Sequence, residues 1–134
     1  MRLPQTVYAL IFLLLLTLLA ACQSAPTPLT IPPKVEGGWR QESAEALDTS
    51  KRPEWMERLG VKDARLVRYT GPTDVQVMWF QMSSSAAALE CTQLWKRSPA
   101  QSVMMKENYF LVLESNHPNR ETLMDFSRGL ERAL

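Results

Sequence analysis

The sequence predicts an α+β fold: a four-stranded antiparallel sheet with two helices on one face, in the order β-β-α-β-β-α, preceded by a short helix. Three observations carry this expectation. Apolar, strand-like runs bounded by turn residues fall at 65–70, 74–82, 102–106 and 109–115. Segments with apolar residues at helical spacing follow the second and fourth of these runs. Strands that come in pairs, with helices between the pairs, favour an antiparallel sheet covered by helices over a parallel one.

Taken in order, Pro53-Glu54 is a helix start and Gly60 a stop. Trp55, Met56 and Leu59 lie on one side between them, which predicts a short helix over 53–59. Residues 65–70 (RLVRYT) read as a strand, Gly71-Pro72 as a turn, and 74–82 (DVQVMWFQM) as a longer strand. Ser83, Ser84 and Ser85 then precede a helix running to about Lys96, in which Ala87, Cys91, Leu94 and Trp95 form one stripe. Ala86, Ala87 and Ala88 let its first turns approach a sheet closely. Residues 102–106 and 109–115 predict a hairpin with Glu107-Asn108 at its tip, because Asn tolerates positive φ. Asn116 and Pro118 start a last helix, with Leu123, Phe126, Leu130 and Leu134 on its buried side. The halves 64–97 and 101–134 thus repeat one plan, hairpin then helix, without repeating the sequence.

The strands are apolar on both faces. Within 74–82, Val75, Val77 and Trp79 point one way and Met78, Phe80 and Met82 the other. In 109–115, Tyr109, Leu111 and Leu113 oppose Phe110 and Val112. A sheet with one wet face alternates apolar with polar, so the second face here needs a cover. Two candidates stand: the N-terminal segment, whose Trp39, Leu47 and Trp55 need burial, or a ligand or partner bound to an apolar patch. The second makes Trp79, Phe80, Met78, Met82, Phe110 and Val112 the candidate binding surface.

The first 22 residues are a different kind of segment. Arg2 supplies a positive charge, an apolar run extends from Val7 to Leu19, and small residues lead into Leu19-Ala20-Ala21-Cys22. This is the order of a secretory signal peptide, and the run is short of the roughly 20 residues a bilayer span takes. Its ending resembles the lipobox of bacterial lipoproteins. That resemblance implies cleavage before Cys22, a diacylglycerol on the Cys22 thiol, and an acylated new amino terminus. Gln23, in place of an Asp after the cysteine, leans towards the periplasmic face of the outer membrane. Removing 21 of the 134 residues leaves 113, enough for one domain. From Gln23 to about Glu36, Pro26, Pro28, Pro32 and Pro33 favour extended chain, a tether that would reach ~40 Å. Gly37-Gly38-Trp39 is expected to open the folded domain, 37–134.

Charge and composition narrow the function. Net charge is +1, and loss of Arg2 leaves 14 basic against 14 acidic residues. A neutral domain lacks the basic footprint of a nucleic-acid binder. If lipid occupies Cys22, Cys91 has no internal disulfide partner, and burial, an intermolecular pair or a free thiol are its options. His117 is the only histidine, in the turn Asn116-His117-Pro118-Asn119, and with one cysteine it falls short of a four-ligand zinc site. The methionines Met78, Met82, Met104 and Met105 raise a Cu(I) thioether site, but methionine also fills irregular cores and no Met-x-Met or His-Met cluster occurs. A nucleophile at Ser83–Ser85 would want flanking glycines and a base, whereas Met82 and Ala86 flank these serines. Helix capping explains them more simply. Glu90 and Glu114 form no carboxylate pair at fixed spacing. No glycine-rich phosphate loop is present.

Beyond the lipobox, Gly38-Trp39, an aromatic on a strand at Tyr69, a small-residue helix from Ser83 to Trp95, the strand Tyr109 to Ser115 and a closing amphipathic helix resemble an uncharacterised family of secreted bacterial domains. The resemblance spans about residues 31–134 and implies a fold without an activity or site residues. Together these readings lead to the expectation of a non-enzymatic, lipid-anchored envelope protein that binds a protein partner through its sheet. It carries no cofactor or metal beyond the covalent lipid on Cys22. The alternative is a carrier of a small apolar ligand or lipid in an enclosed cavity of a few hundred Å³. A closed sheet with neither patch nor cavity would instead favour a spacer.

Overall fold

A computed structural model of the chain describes residues 4–9, 11, 28–116 and 119–134. Cys22 and the residues before it from 12, like His117 and Pro118, lie outside the described residues. Residues 5–9 are helical, and no helix of the described residues is long and apolar enough to cross a membrane.

The fold is α+β with a curled antiparallel sheet, and the sheet has six strands where four are expected. They are β1 (Lys34–Val35), β2 (Trp39–Ala46), β3 (Val61–Thr70), β4 (Val75–Met82), β5 (Gln101–Lys106) and β6 (Tyr109–Ser115), in the spatial order β1-β2-β3-β4-β6-β5. Three helices join them: α1 (Glu54–Arg58), α2 (Ser85–Leu94) and α3 (Arg120–Ala133). The two additional strands come from the N-terminal side. β2 pairs with β3 from Arg40↔Thr70 to Ala46↔Arg65, with a register shift between Gln41 and Ser43. β1 caps the start of β2 through the positive-φ pair Gly37-Gly38.

The helices take opposite faces, which corrects the expectation of both on one face. Val67, Tyr69, Val75, Val77, Leu111 and Leu113 pack with Leu123, Phe126 and Leu130 of α3 and with Val35 and Trp39. Ala64, Leu66, Phe80, Met82, Phe110 and Val112 pack with Ala87, Ala88 and Cys91 of α2, and with Leu47 and Met56. The period of two along a strand is the reason: odd-numbered residues of β4 and β6 meet α3, even-numbered ones meet α2. Strands apolar on both sides need two covers, and one helix on each side supplies them. The N-terminal segment contributes to both layers, with Trp39 in one and Leu47, Met56 and half-buried Trp55 in the other.

Aromatic rings organise the α3 layer. Phe126 meets the rings of Trp39 at 5.3 Å and Tyr69 at 5.2 Å, both edge-on, the arrangement the ring quadrupoles favour. The Trp39 indole N–H donates to the Thr73 carbonyl at 3.0 Å. α3 crosses β1 so closely that a Cβ on Gly129 would sit 2.9 Å from the Glu36 carbonyl oxygen.

The domain starts earlier than Gly37. Leu29 and Ile31 pack against the α3-side core, the Leu29 amide donates to the Tyr109 hydroxyl at 3.3 Å, and the Tyr69 hydroxyl donates to the Pro32 carbonyl at 2.8 Å. The stretch from 28 to 33, expected as free tether, is therefore a strap laid across the sheet.

Candidate functional site

The residues expected to form a binding surface are interior. Trp79 is 3% exposed, and Phe80, Met82, Phe110 and Val112 are fully buried. Met78 is half-buried and packs against the same core. Each lies on β4 or β6, the central strands of the register, where neighbouring strands and a helix close over it. The sequence shows the apolar character of these positions but not that a helix covers each side.

One apolar surface lies at an end of the α2 layer; Tyr8, Ile11, Leu89 and Met124 are further exposed apolar side chains. Pro53 precedes α1 in extended conformation (φ −60°, ψ 139°), which suits its locked ring and lets Trp55 emerge from the first turn. At the other wall, α2 ends where Trp95 turns to extended backbone, its amide still donating to the Cys91 carbonyl. Its indole N–H donates to Gln101 Oε1 at 3.2 Å, which fixes the ring. The Trp95 ring reaches inward to Phe80 at 6.2 Å and Phe110 at 5.8 Å, and outward to Trp55 at 6.4 Å. The two half-buried tryptophans, with Pro53, Leu94 and Lys96, line an open groove of about 450 Å³. Leu94, expected on the buried stripe of α2, is 43% exposed at this rim. The buried residues of α2 are Ala87, Ala88 and Cys91.

Two further grooves flank the sheet. One, of about 450 Å³, is bounded by Lys62, Gln81, Ser83–Ser85, Glu107 and Asn108. Two of its serines have structural partners: the Ser84 hydroxyl accepts from the Ala87 amide at 3.1 Å, and the Ser83 hydroxyl donates to the Leu59 carbonyl at 3.0 Å. Ser84 thus caps α2 as the sequence predicts. The other, of about 400 Å³, lies beneath the strap, with Leu29, Ile31, Arg65, Trp79 and Tyr109 among its walls. These three grooves are open to solvent.

Comparison of the chain with known protein families, with characterised proteins and with solved structures gives no match.

Among the described residues no three of His, Cys, Asp and Glu gather as metal ligands. Met56, Met78, Met82 and Met105 belong to the α2-side core, while Met104 packs against the opposite one. Cys91 is fully buried, and burial, reinforced by the charge of Glu90, pushes its thiol up to about 11. Such a thiol is a poor nucleophile at neutral pH. Burial likewise raises the Tyr69 phenol well above its ordinary value. Asp48 is lowered, chiefly by the hydrogen bond from the Ser50 backbone amide, and it caps the 3₁₀ turn Thr49–Lys51.

Proposed function

We propose that this chain is a bacterial envelope lipoprotein, acylated at Cys22, whose domain binds a protein partner and performs no catalysis. The observation that carries the binding part is the Trp55–Trp95 groove. Two half-buried tryptophans at the margin of the α2-side core, a proline and an exposed leucine face solvent together there. Tryptophan is the residue type most enriched where binding energy concentrates, because one large rigid ring excludes much water. Lys96 at the rim adds a charge for orientation. The reading moves the docking site from the sheet to the junction of α1 and α2. Its anchoring part rests on the Leu19-Ala20-Ala21-Cys22 sequence.

Site-specific photo-crosslinking in the envelope tests it. A photoreactive residue at Leu94 should give a discrete adduct, and one at exposed Glu131 on α3 should not. The same material, analysed by mass spectrometry, should begin at an acylated Cys22. No adduct at Leu94, or a free Cys22 thiol with the leader attached, would overturn the corresponding half of the proposal.

A further inference from the structure

The geometry points to a second copy of this chain as the strand that pairs with the open edge of β5. This goes beyond the partner-binding reading and does not depend on acylation at Cys22. β5 is the last strand of the sheet, six residues long and paired one-to-one with β6 from Gln101↔Glu114 to Lys106↔Tyr109, without a bulge. Lys106 and Tyr109 flank a two-residue turn, so they exchange both hydrogen bonds, and so do Met104 with Leu111 and Ser102 with Leu113. The Ser115 amide donating to the Ala100 carbonyl at 3.2 Å continues the same alternation. Val103 and Met105 therefore direct their amides and carbonyls away from β6. Among the described residues, nothing bonds them.

The side chains repeat the message. Val103 and Met105 belong to the α2 side and Met104 to the α3 side, and each is half-buried. Their neighbours on β6, Val112, Phe110 and Leu111, are completely buried. Both cores are thus left unfinished at the same edge. A long, regular, apolar edge is what proteins ordinarily blunt with charge, proline or a bulge.

The opposite edge has those protections. β1 and the Pro33 carbonyl, which accepts from the Gln41 amide at 2.9 Å, cover β2 as far as Gln41; beyond it, exposed Glu42 and Glu45 and the register shift at Gln41/Ser43 break the β2 edge. Head-to-tail addition of β5 to β2, which would run on as an open fibre, is disfavoured. Pairing of β5 with itself about a two-fold axis closes at two copies. With the axis at Met104, Val103 exchanges bonds with Met105 of the second copy. Lys106 then lies across from Ser102 of the second copy, so no like charges oppose. The two sheets become one.

Sedimentation equilibrium of the full chain in a mild, density-matched detergent tests this, together with hydrogen exchange on the same samples. The wild type should have the mass of two copies, with the Val103 and Met105 amides protected and that protection lost on dilution. Val103→Pro removes an outward amide and no bond to β6, a placement an edge strand tolerates. It should sediment as one copy, with dimer affinity reduced at least tenfold and an unchanged circular dichroism spectrum. A wild type of single-copy mass at every concentration would overturn the inference. So would a two-copy species whose Val103 and Met105 amides exchange freely, or a folded Val103→Pro variant that dimerises like the wild type. Should Val103→Pro not fold, the wild-type mass and exchange decide alone.

Discussion

The hydroxyl of Tyr69, near the end of β3, donates to the carbonyl of Pro32, 37 residues earlier in the chain, at 2.8 Å. This bond fastens the N-terminal strap to β3, and Tyr69 also supports Phe126 from below. Replacing Tyr69 by Phe keeps the ring but leaves a carbonyl without its donor. The expected loss is about 1–3 kcal/mol, the cost of an unsatisfied buried acceptor. Thermal denaturation should show it as a lowered Tm, with earlier proteolysis near residues 28–33.

Tyr69 and Cys91 together predict alkaline lability. Both groups are held neutral by burial, so their folded pKa values lie above the unfolded ones of near 10 and 9. Folding therefore favours the protonated forms. Their contribution is complete below about pH 9 and lost progressively as pH rises, through about 11 for Cys91. Stability measured from pH 8 to 11 should fall, less steeply in Cys91→Ala and Tyr69→Phe. The native Cys91 thiol should resist an alkylating reagent at pH 7.5 and react on unfolding.

Gly129→Ala sets two effects against each other. Alanine is the better helix former by about 1 kcal/mol. Its Cβ would meet the Glu36 carbonyl and Val35 Cγ1, both at 2.9 Å, and a backbone oxygen cannot swing aside. Overpacking of this kind costs about 1–3 kcal/mol, so the clash prevails. Urea denaturation should give a variant less stable by about 1 kcal/mol, with α3 displaced from β1.

Phe126→Ala should be far more damaging. The ring is fully buried against Trp39 and Tyr69, and its removal leaves a cavity in the α3-side core. A loss of about 3–5 kcal/mol is expected, a large share of the 5–15 kcal/mol typical of a domain. Trp39 fluorescence should change at the same time, because its edge-on neighbour is gone.

Ser84 offers a test of role. As the cap of α2, its replacement by Ala should cost about 1 kcal/mol, while Gly in its place should cost only a few tenths. Neither variant should alter labelling by a serine-directed phosphonylating reagent, which is expected to leave Ser83–Ser85 unmodified. Labelling of any of the three would point to a nucleophile, which the hydrogen bonds of Ser83 and Ser84 argue against.

Legibility followed the strength of local pattern. The hairpin β5–β6 was readable because apolar runs flank Glu107-Asn108, although the positive φ (53°) falls on Glu107, not Asn108. The face of α3 was readable because Leu123, Phe126 and Leu130 repeat at helical spacing over a charged background. β2 was not: Trp39–Ala46 (WRQESAEA) has no alternation and is rich in helix formers, and its strand state depends on pairing with β3. The Trp55–Trp95 groove was hidden for a similar reason. Trp55 and Trp95 are 40 residues apart, and their adjacency depends on α1 and α2 lying at the same end of one face. Leu94 falls on the apolar stripe of α2, and spacing alone cannot distinguish a rim position from a buried one.

The strap across Tyr69 and Tyr109 shortens the arm on which the proposed anchor at Cys22 would hold the domain. Once residues from 28 onward belong to the folded body, only residues 23–27 separate it from Cys22. Fully drawn out, that leash spans about 20 Å, half the range of a flexible arm continuing to Glu36. If Cys22 carries the acyl chain proposed above, the folded body would stand no farther than that from its anchor.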